Sequence, residues 1–204
     1  MGTDVETPRP ASRPVGRPRD PRIEQAALAA VRDLLAEGGY AAVTGTAVAS
    51  RAGTTKAALY RRWPALPHLV HEAVFPDELA VGTDFEADLD VVVAGLVGGT
   101  RDALCTPAAA AALPGLLAEA GTYPDLHASM IRRFSGVLVA MDARLGRAIA
   151  AGEAHPDARA DDLVQLVLGT VIAGLLLNPG SLDDAWVDRL TANVLRGLRP
   201  DRRA

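Results

Sequence analysis

Several scarcities narrow what this chain can be. Among 204 residues there is one cysteine, Cys105; no internal disulfide can form, and a reducing cytoplasm is the expected setting. Aromatic residues make up 4% of the chain against 49% hydrophobic residues overall, and with so many alanines the balance favours helices over sheets. The longest apolar stretch, Leu163 to Leu177, is interrupted by Gln165, Gly169 and Thr170 and is short for a bilayer span. The first twenty residues contain arginines and prolines but no apolar run, so neither a secretory signal nor a membrane partner is expected. Catalytic motifs are missing as well: no nucleophile elbow, no phosphate-cradling glycine loop and no Cys–His pair. Gly95-Leu-Val-Gly-Gly99 lies within a helical pattern rather than after a strand. His68, His71 and Glu72 form at most a weak metal half-site. No enzymatic activity, cofactor or metal is expected.

What is present centres on Val43 to Pro64, which reads as two short helices joined by a tight turn. Thr44 can cap the first helix by accepting a backbone N–H, and Ala47, Val48 and Ala52 form an apolar stripe. Gly53 follows, where positive φ ends a helix without strain. Thr54 or Thr55 caps the second helix, which stops by Pro64. Lys56, Ala57 and Ala58 put a cation and methyl groups in its first turn, small enough to approach base edges. Tyr60, Arg61 and Arg62 offer donors for phosphates. This pattern predicts a helix-turn-helix with the second helix as reader. The spacing alone also allows a plain helical hairpin with Tyr60 and Trp63 in its core.

The order of residues from Arg51 to Pro64, Arg-Ala-Gly-Thr-Thr-Lys-Ala-Ala-Leu-Tyr-Arg-Arg-Trp-Pro, resembles the DNA-binding signature of the tetracycline-repressor (TetR) family of bacterial transcription regulators. The likeness extends from Ile23 to Leu69, roughly a quarter of the chain. The resemblance implies that Thr55, Lys56, Ala57 and Ala58 meet bases or nearby backbone. It puts Thr44 and Tyr60 at phosphates, with Thr46, Thr54 and Arg61 nearby. Leu66 stands where the family usually carries a lysine, which leaves Arg61 or Arg62 to substitute.

Charge is divided along the chain. Residues 1–75 carry 10 Lys+Arg and 7 Asp+Glu, a net of +3, whereas residues 76–204 carry 11 and 18, a net of −7. A basic head on an acidic body fits a protein that meets DNA at one end. Residues 1–19 are expected to be a flexible basic arm, within which Arg17 and Arg19 can enter a minor groove. Residues 20–66 are expected to form the helix-turn-helix domain, and 67–204 a ligand-binding and dimerisation body. Asp20-Pro21 predicts a helix start. Ile23, Ala27, Ala30, Val31, Leu34 and Leu35 predict its buried face, and Gly38-Gly39 its end.

The periodicity predicts an all-α fold of about nine helices. After the head come 67–75, 85–104, a segment from Pro107 broken at Pro114-Gly115, one long helix over 124–151, then 161–177 and 183–198. A small apolar ligand would sit against Leu104, Leu117, Tyr123, Met130, Phe134, Leu138, Met141 and Thr170, although ordinary core packing explains each singly. Helix 161–177 is apolar nearly all round and therefore needs a partner. Gly169, Ala173 and Leu176, with Trp186, Leu190 and Val194 on the last helix, are the expected homodimer interface, a four-helix arrangement as in the resembled family. The function implied is a cytoplasmic, nucleoid-associated regulator, acting as a dimeric repressor on a pseudo-palindromic operator in double-stranded DNA and released by a small molecule. Two alternatives are a sequence-tolerant DNA-packaging protein and a ligand-binding dimer without operator binding.

Overall fold

In α1 (Pro21–Ala42) the apolar face is Ala27, Ala30, Val31, Leu34 and Leu35, all buried. The computed structural model describes residues 21–75 and 82–200; Arg17, Arg19 and the Asp20 cap lie outside them. Gly38 and Gly39 leave helical geometry, so the last few residues of α1 follow a kink. Then come α2 (Gly45–Arg51), α3 (Lys56–Tyr60) and α4 (Leu66–Val74), followed by α5 (Leu89–Leu104) and α6 (Pro107–Ala120). The chain continues with α7 (Pro124–Arg132), α8 (Ser135–Ala150), α9 (Ala160–Leu177), a 3₁₀ turn at Pro179–Ser181, and α10 (Asp184–Leu198). Among the described residues the regular structure is wholly helical.

The helices are layered around α5, which packs against α10, α9, α8 and α6. On the other side, α6 meets both α1 and α4, and α1 also covers α2. One continuous apolar cluster runs from Ala27 to Leu198. The N-terminal helices are therefore seated on the rest of the chain through two neighbours, α1 and α4. Arg32 of α1 strengthens this seat by donating to the carbonyl of Ala73 in α4 at 3.0 Å.

Three boundaries differ from the sequence pattern, each for a local reason. The segment expected to be helical from Phe85 becomes so only at Leu89. Arg147 and Arg144 of α8 take the carbonyls of Phe85 and Ala87 at 2.8 and 2.9 Å, and the Asp84 carboxylate accepts from the N–H of Glu86. Backbone groups held this way do not join a helix. The expected long helix over 124–151 is two helices, which raises the count among the described residues to ten. At the break Ser135 Oγ donates to the carbonyl of Arg132 at 2.7 Å, a local bond that competes with the helical ladder. The expected interruption at Pro114-Gly115 does not occur, and α6 runs through it. Ala109, Ala112, Leu113 and Leu116 are buried on α6, and this packing outweighs the missing N–H of Pro114.

Gly115 serves α1 rather than α6. A Cβ placed on it would lie 2.4 Å from the ring carbons of Tyr40, so the ring rests directly on the α6 backbone. Burial above all, then the charge of Glu119 and the neighbouring Tyr123, pushes the Tyr40 phenol up to about 12; it stays neutral throughout the working pH range. Gly115→Ala should force the ring off its seat at a cost of roughly 1–3 kcal/mol. The expected result is a thermal midpoint lower by several degrees in calorimetry, and an unchanged midpoint would mean that the ring moves aside freely.

Candidate nucleic-acid interface

Between α2 and α3 the chain turns through Gly53, whose φ of +62° is the left-handed geometry that ends α2. Two threonines start the helices. Thr44 Oγ1 accepts from the N–H of Ala47 and Thr55 Oγ1 from that of Ala58, both at 3.1 Å. Thr55 is thus the cap of the second helix, and Thr54 lies in the turn, its N–H on the carbonyl of Ala49 at 2.9 Å.

Five residues of helix leave few directions for side chains, and α3 divides them sharply. Ala58 and Leu59 are buried, while Lys56, Ala57 and Tyr60 face outward. The expectation that Ala58 meets DNA is corrected: at 7% exposure its methyl belongs to the interior, because its position shares the inward face with Leu59. Trp63 is buried too, and its Nε1 donates to Glu72 Oε2 at 2.7 Å. Tyr60 is 48% exposed, so the plain-hairpin alternative with Tyr60 in the core fails. The Tyr60 hydroxyl lies over the start of α2, 2.7 Å from where a Cβ on Gly45 would stand. Thr44, Thr46 and Thr55 are exposed around it.

No acidic residue occurs between Val43 and Pro64, but not every cation there faces outward. Both terminal nitrogens of Arg51 donate to the Glu37 carboxylate at 2.7 Å, which holds that carboxyl below its ordinary range and ties α2 to α1. Arg62, expected as a possible substitute phosphate ligand, turns inward: its side chain is 12% exposed, with Nε 3.9 Å from Glu24. Lys56 and Arg61 are the exposed cations outside such a pair. Leu66 opens α4 and packs against the core.

Farther along, the expected ligand contacts divide. Leu104, Leu117, Met130 and Phe134 line one apolar cavity of about 200 Å³ between α4, α6, α7 and α9. Tyr123, Leu138, Met141 and Thr170 lie elsewhere. Tyr123 sets its ring edge-on to His68, with centroids 5.6 Å apart. Leu138 packs on the core, Met141 is fully buried within it, and Thr170 bonds back to the carbonyl of Leu166. The break between α7 and α8 rotates the second half of the expected long helix away from the cavity. His71, Leu113, Leu168 and Ile172 line it instead; as separate members of three helices they give no local sequence signal. The half-site of His68, His71 and Glu72 is dispersed: His68 pairs with Asp125 at 2.9 Å, Glu72 serves Trp63, and His71 is buried beside Phe75.

On α9, Leu163, Val164, Val167 and Val171 are buried, whereas Gly169, Ala173 and Leu176 are exposed with Leu166 and Leu177. By length and composition this 18-residue helix is long and apolar enough to cross a membrane, contrary to the expectation that it is too short. Its buried stripe, however, packs against α5 and α8. Trp186 and Leu190 on α10 are half-buried, and Val194, expected at a dimer interface, is 4% exposed and already committed to the chain's own core.

Two family models match successive parts of the chain. One described as "Bacterial regulatory proteins, tetR family" matches residues 27–73, and one described as "Tetracyclin repressor-like, C-terminal domain" matches residues 84–194. A DNA-binding transcriptional repressor TetR of Mycobacteroides abscessus is 32% identical, over 87% of this chain and 95% of its own length. An uncharacterized HTH-type transcriptional regulator, YdeS of Bacillus subtilis, is 26% identical over 90% and 93%. Among solved structures, Salmonella enterica GusR superposes with a TM-score of 0.64 at 21% identity, covering 90% of this chain and 98% of that one. A crystal structure of a TetR family transcription regulator gives 0.62 at 28% identity, with 88% and 100% covered. With an outward-facing Lys56–Tyr60 helix and matches across both halves, the chain belongs to the TetR family of bacterial DNA-binding transcription regulators.

Proposed function

We propose that the protein is a homodimeric, ligand-responsive repressor that reads a pseudo-palindromic operator. The observation that carries this reading is the division of α3: Lys56, Ala57 and Tyr60 outward, Ala58 and Leu59 inward. An outward face made of one cation, one methyl and one phenol suits a major groove. Lys56 reaches base acceptors, Ala57 permits close approach, and Tyr60 and Arg61 meet phosphates together with Thr44, Thr46, Thr54 and Thr55. Residues 20–66 are the DNA-binding unit, 67–204 the ligand-binding and dimerisation unit, and Arg17 and Arg19 in the first 19 residues a minor-groove arm. Acting on DNA, the protein works in the cytoplasm, at the nucleoid.

Dimerisation supplies the second reading helix. The exposed Leu166, Ala173, Leu176 and Leu177 on α9 form an apolar face on a helix with small residues at Gly169 and Ala173. A groove beside it, bordered by Leu166, Leu190 and Gly197, runs between α9 and α10. Covering this face with its own copy places two α3 helices in successive major grooves, about 34–36 Å apart. A ligand in the 200 Å³ cavity touches α4, which also packs on α1. Such a ligand releases DNA by favouring one head spacing over the other.

Selection of bound sequences from random DNA by the full chain should return one inverted repeat. Equal affinity for random and selected DNA would instead favour a packaging protein. Binding should weaken steeply with salt. Tyr60→Phe should weaken all sites alike, whereas Lys56→Ala should shift base preference, at about 1–3 kcal/mol for the preferred base. Identical selection profiles for Lys56→Ala and the native chain would remove Lys56 from the readout. Light scattering after gel filtration at micromolar concentration should give twice the 21.2 kDa chain mass. Leu176→Asp should shift the species toward the monomer, and a native monomer would sink the dimer.

A further inference from the structure

We infer that α7 is the gate of the apolar cavity, and that the molecule it admits is compact, apolar and uncharged. This inference rests on the reading of the protein as ligand-responsive and adds to it the ligand's route and charge. It comes from how little holds α7 in place and from where the cavity reaches the surface.

Nine residues long, α7 buries a single side chain, Leu126. The other helices that line the cavity, α4, α5, α6 and α9, each bury at least four. Residues 121–123 precede α7 without helix, and Arg133 and Phe134 separate it from α8. Its first turn is tied to α4 by the pair of His68 Nε2 and Asp125 Oδ2 at 2.9 Å, with the Tyr123 ring edge-on to His68. Asp125 is exposed, and an ion pair open to water contributes little. A segment with one buried side chain and an exposed tie opens more readily than the core around it. The same tie links the gate to the head: His68 belongs to α4, which also packs on α1, so an opening of α7 frees α4 on its body side.

The cavity reaches solvent at this helix. Phe75, Leu104 and Leu113 line it and are buried, whereas Leu117 on α6 is 40% exposed and Ile131 on α7 is 54% exposed. Side chains that line a cavity and still meet water mark its mouth, which therefore lies between α6 and α7. Met130 of α7 covers the space behind it. The inner wall then sets the chemistry. Against Phe75, Leu104, Leu113, Leu168 and Ile172 a charged group would lose its water with nothing in exchange. His71 and Arg133 also line the cavity, and both are already engaged within the chain. An apolar cavity of about 150 Å³ holds benzene; this one, at about 200 Å³, has room for two fused rings or a short alkyl chain.

The test is stopped-flow fluorescence of the full chain with three probes that share one ring system: 2-naphthol, 2-naphthoate and 2-naphthylmethylammonium. The uncharged 2-naphthol should bind at least about tenfold more tightly than either ion, since each ion must give up its hydration inside the cavity. Its observed binding rate should level off at high probe concentration, at the rate at which α7 opens. Asp125→Ala removes the tie at an exposed position. It should raise the association and dissociation rates together by roughly two- to fivefold, as for loss of an exposed ion pair. The dissociation constant should stay unchanged, because the tie is present with and without ligand. A purely structural role for Asp125 would raise dissociation alone. Conversely, Leu117→Cys with Ile131→Cys in a Cys105→Ser chain can be bridged across the mouth by a reducible bis-maleimide. The bridge should slow entry and exit at least about tenfold, and reduction should restore both. Thermal midpoints measured alongside show that each variant is folded. Unchanged rates in Asp125→Ala, a rise in dissociation alone, unhindered binding to the bridged chain, tighter binding of either ion, or no binding of 2-naphthol would each overturn the inference. These readings are made without DNA and so stand apart from operator selection. A working gate in a chain that selects no operator would remove the regulator, whereas a selected operator without a gate would remove only this inference.

Discussion

A helix of five residues has no stability of its own, so α3 exists only because one side of it is buried. Leu59, with Trp63 just beyond, joins the cluster that includes Val31, Leu34 and Leu35 of α1 and Val48 of α2, and Ala58 beside it is buried as well. That burial fixes the helix, and the remaining positions are forced outward. Tertiary packing thus produces the outward face of α3: Lys56, Ala57 and Tyr60 face solvent because their neighbours cannot. The threonine caps at Thr44 and Thr55 then hold the two helix starts.

The same principle carries the position of the head into the body. Trp63 is buried beside α3, and its indole bonds Glu72 on α4. One turn earlier on α4, His68 holds Asp125 at the start of α7. Burial pulls the Asp125 carboxyl upward, but the His68 charge and the backbone N–H groups there together hold it below the ordinary carboxylate range. On the other side, the Tyr40 ring lies on the bare backbone of Gly115. The head therefore meets the body through α4–α7 and α1–α6.

The body handles apolar surface less completely. On α9 the stripe Leu163, Val164, Val167 and Val171 is covered by α5 and α8, while Leu166, Leu176 and Leu177 remain 50% exposed or more. Exposed leucines of this kind on a helix that is also rich in small residues are costly unless another surface covers them.

Much of this was legible in the residues themselves. The α1 stripe, the threonine caps, the left-handed Gly53 and the run from Arg51 to Pro64 depend on neighbours within a few positions, and local chemistry fixes them. The family followed from that run. Other features were not legible. Ala58 falls inward because α3 is rotated by packing that no local signal encodes. The long helix over 124–151 breaks because Ser135 bonds the Arg132 carbonyl, and that break turns Met141 from the cavity into the core. His71 lines the cavity together with Leu168 and Ile172, which lie far from it in sequence, and Arg62 turns inward toward Glu24 of α1. Amphipathic period and capping chemistry thus determined which segments are helices and where most of them begin. Rotation about each axis, and hence which side chains face solvent or line a cavity, was decided by contacts between segments distant in sequence, because only those contacts choose which face is removed from water.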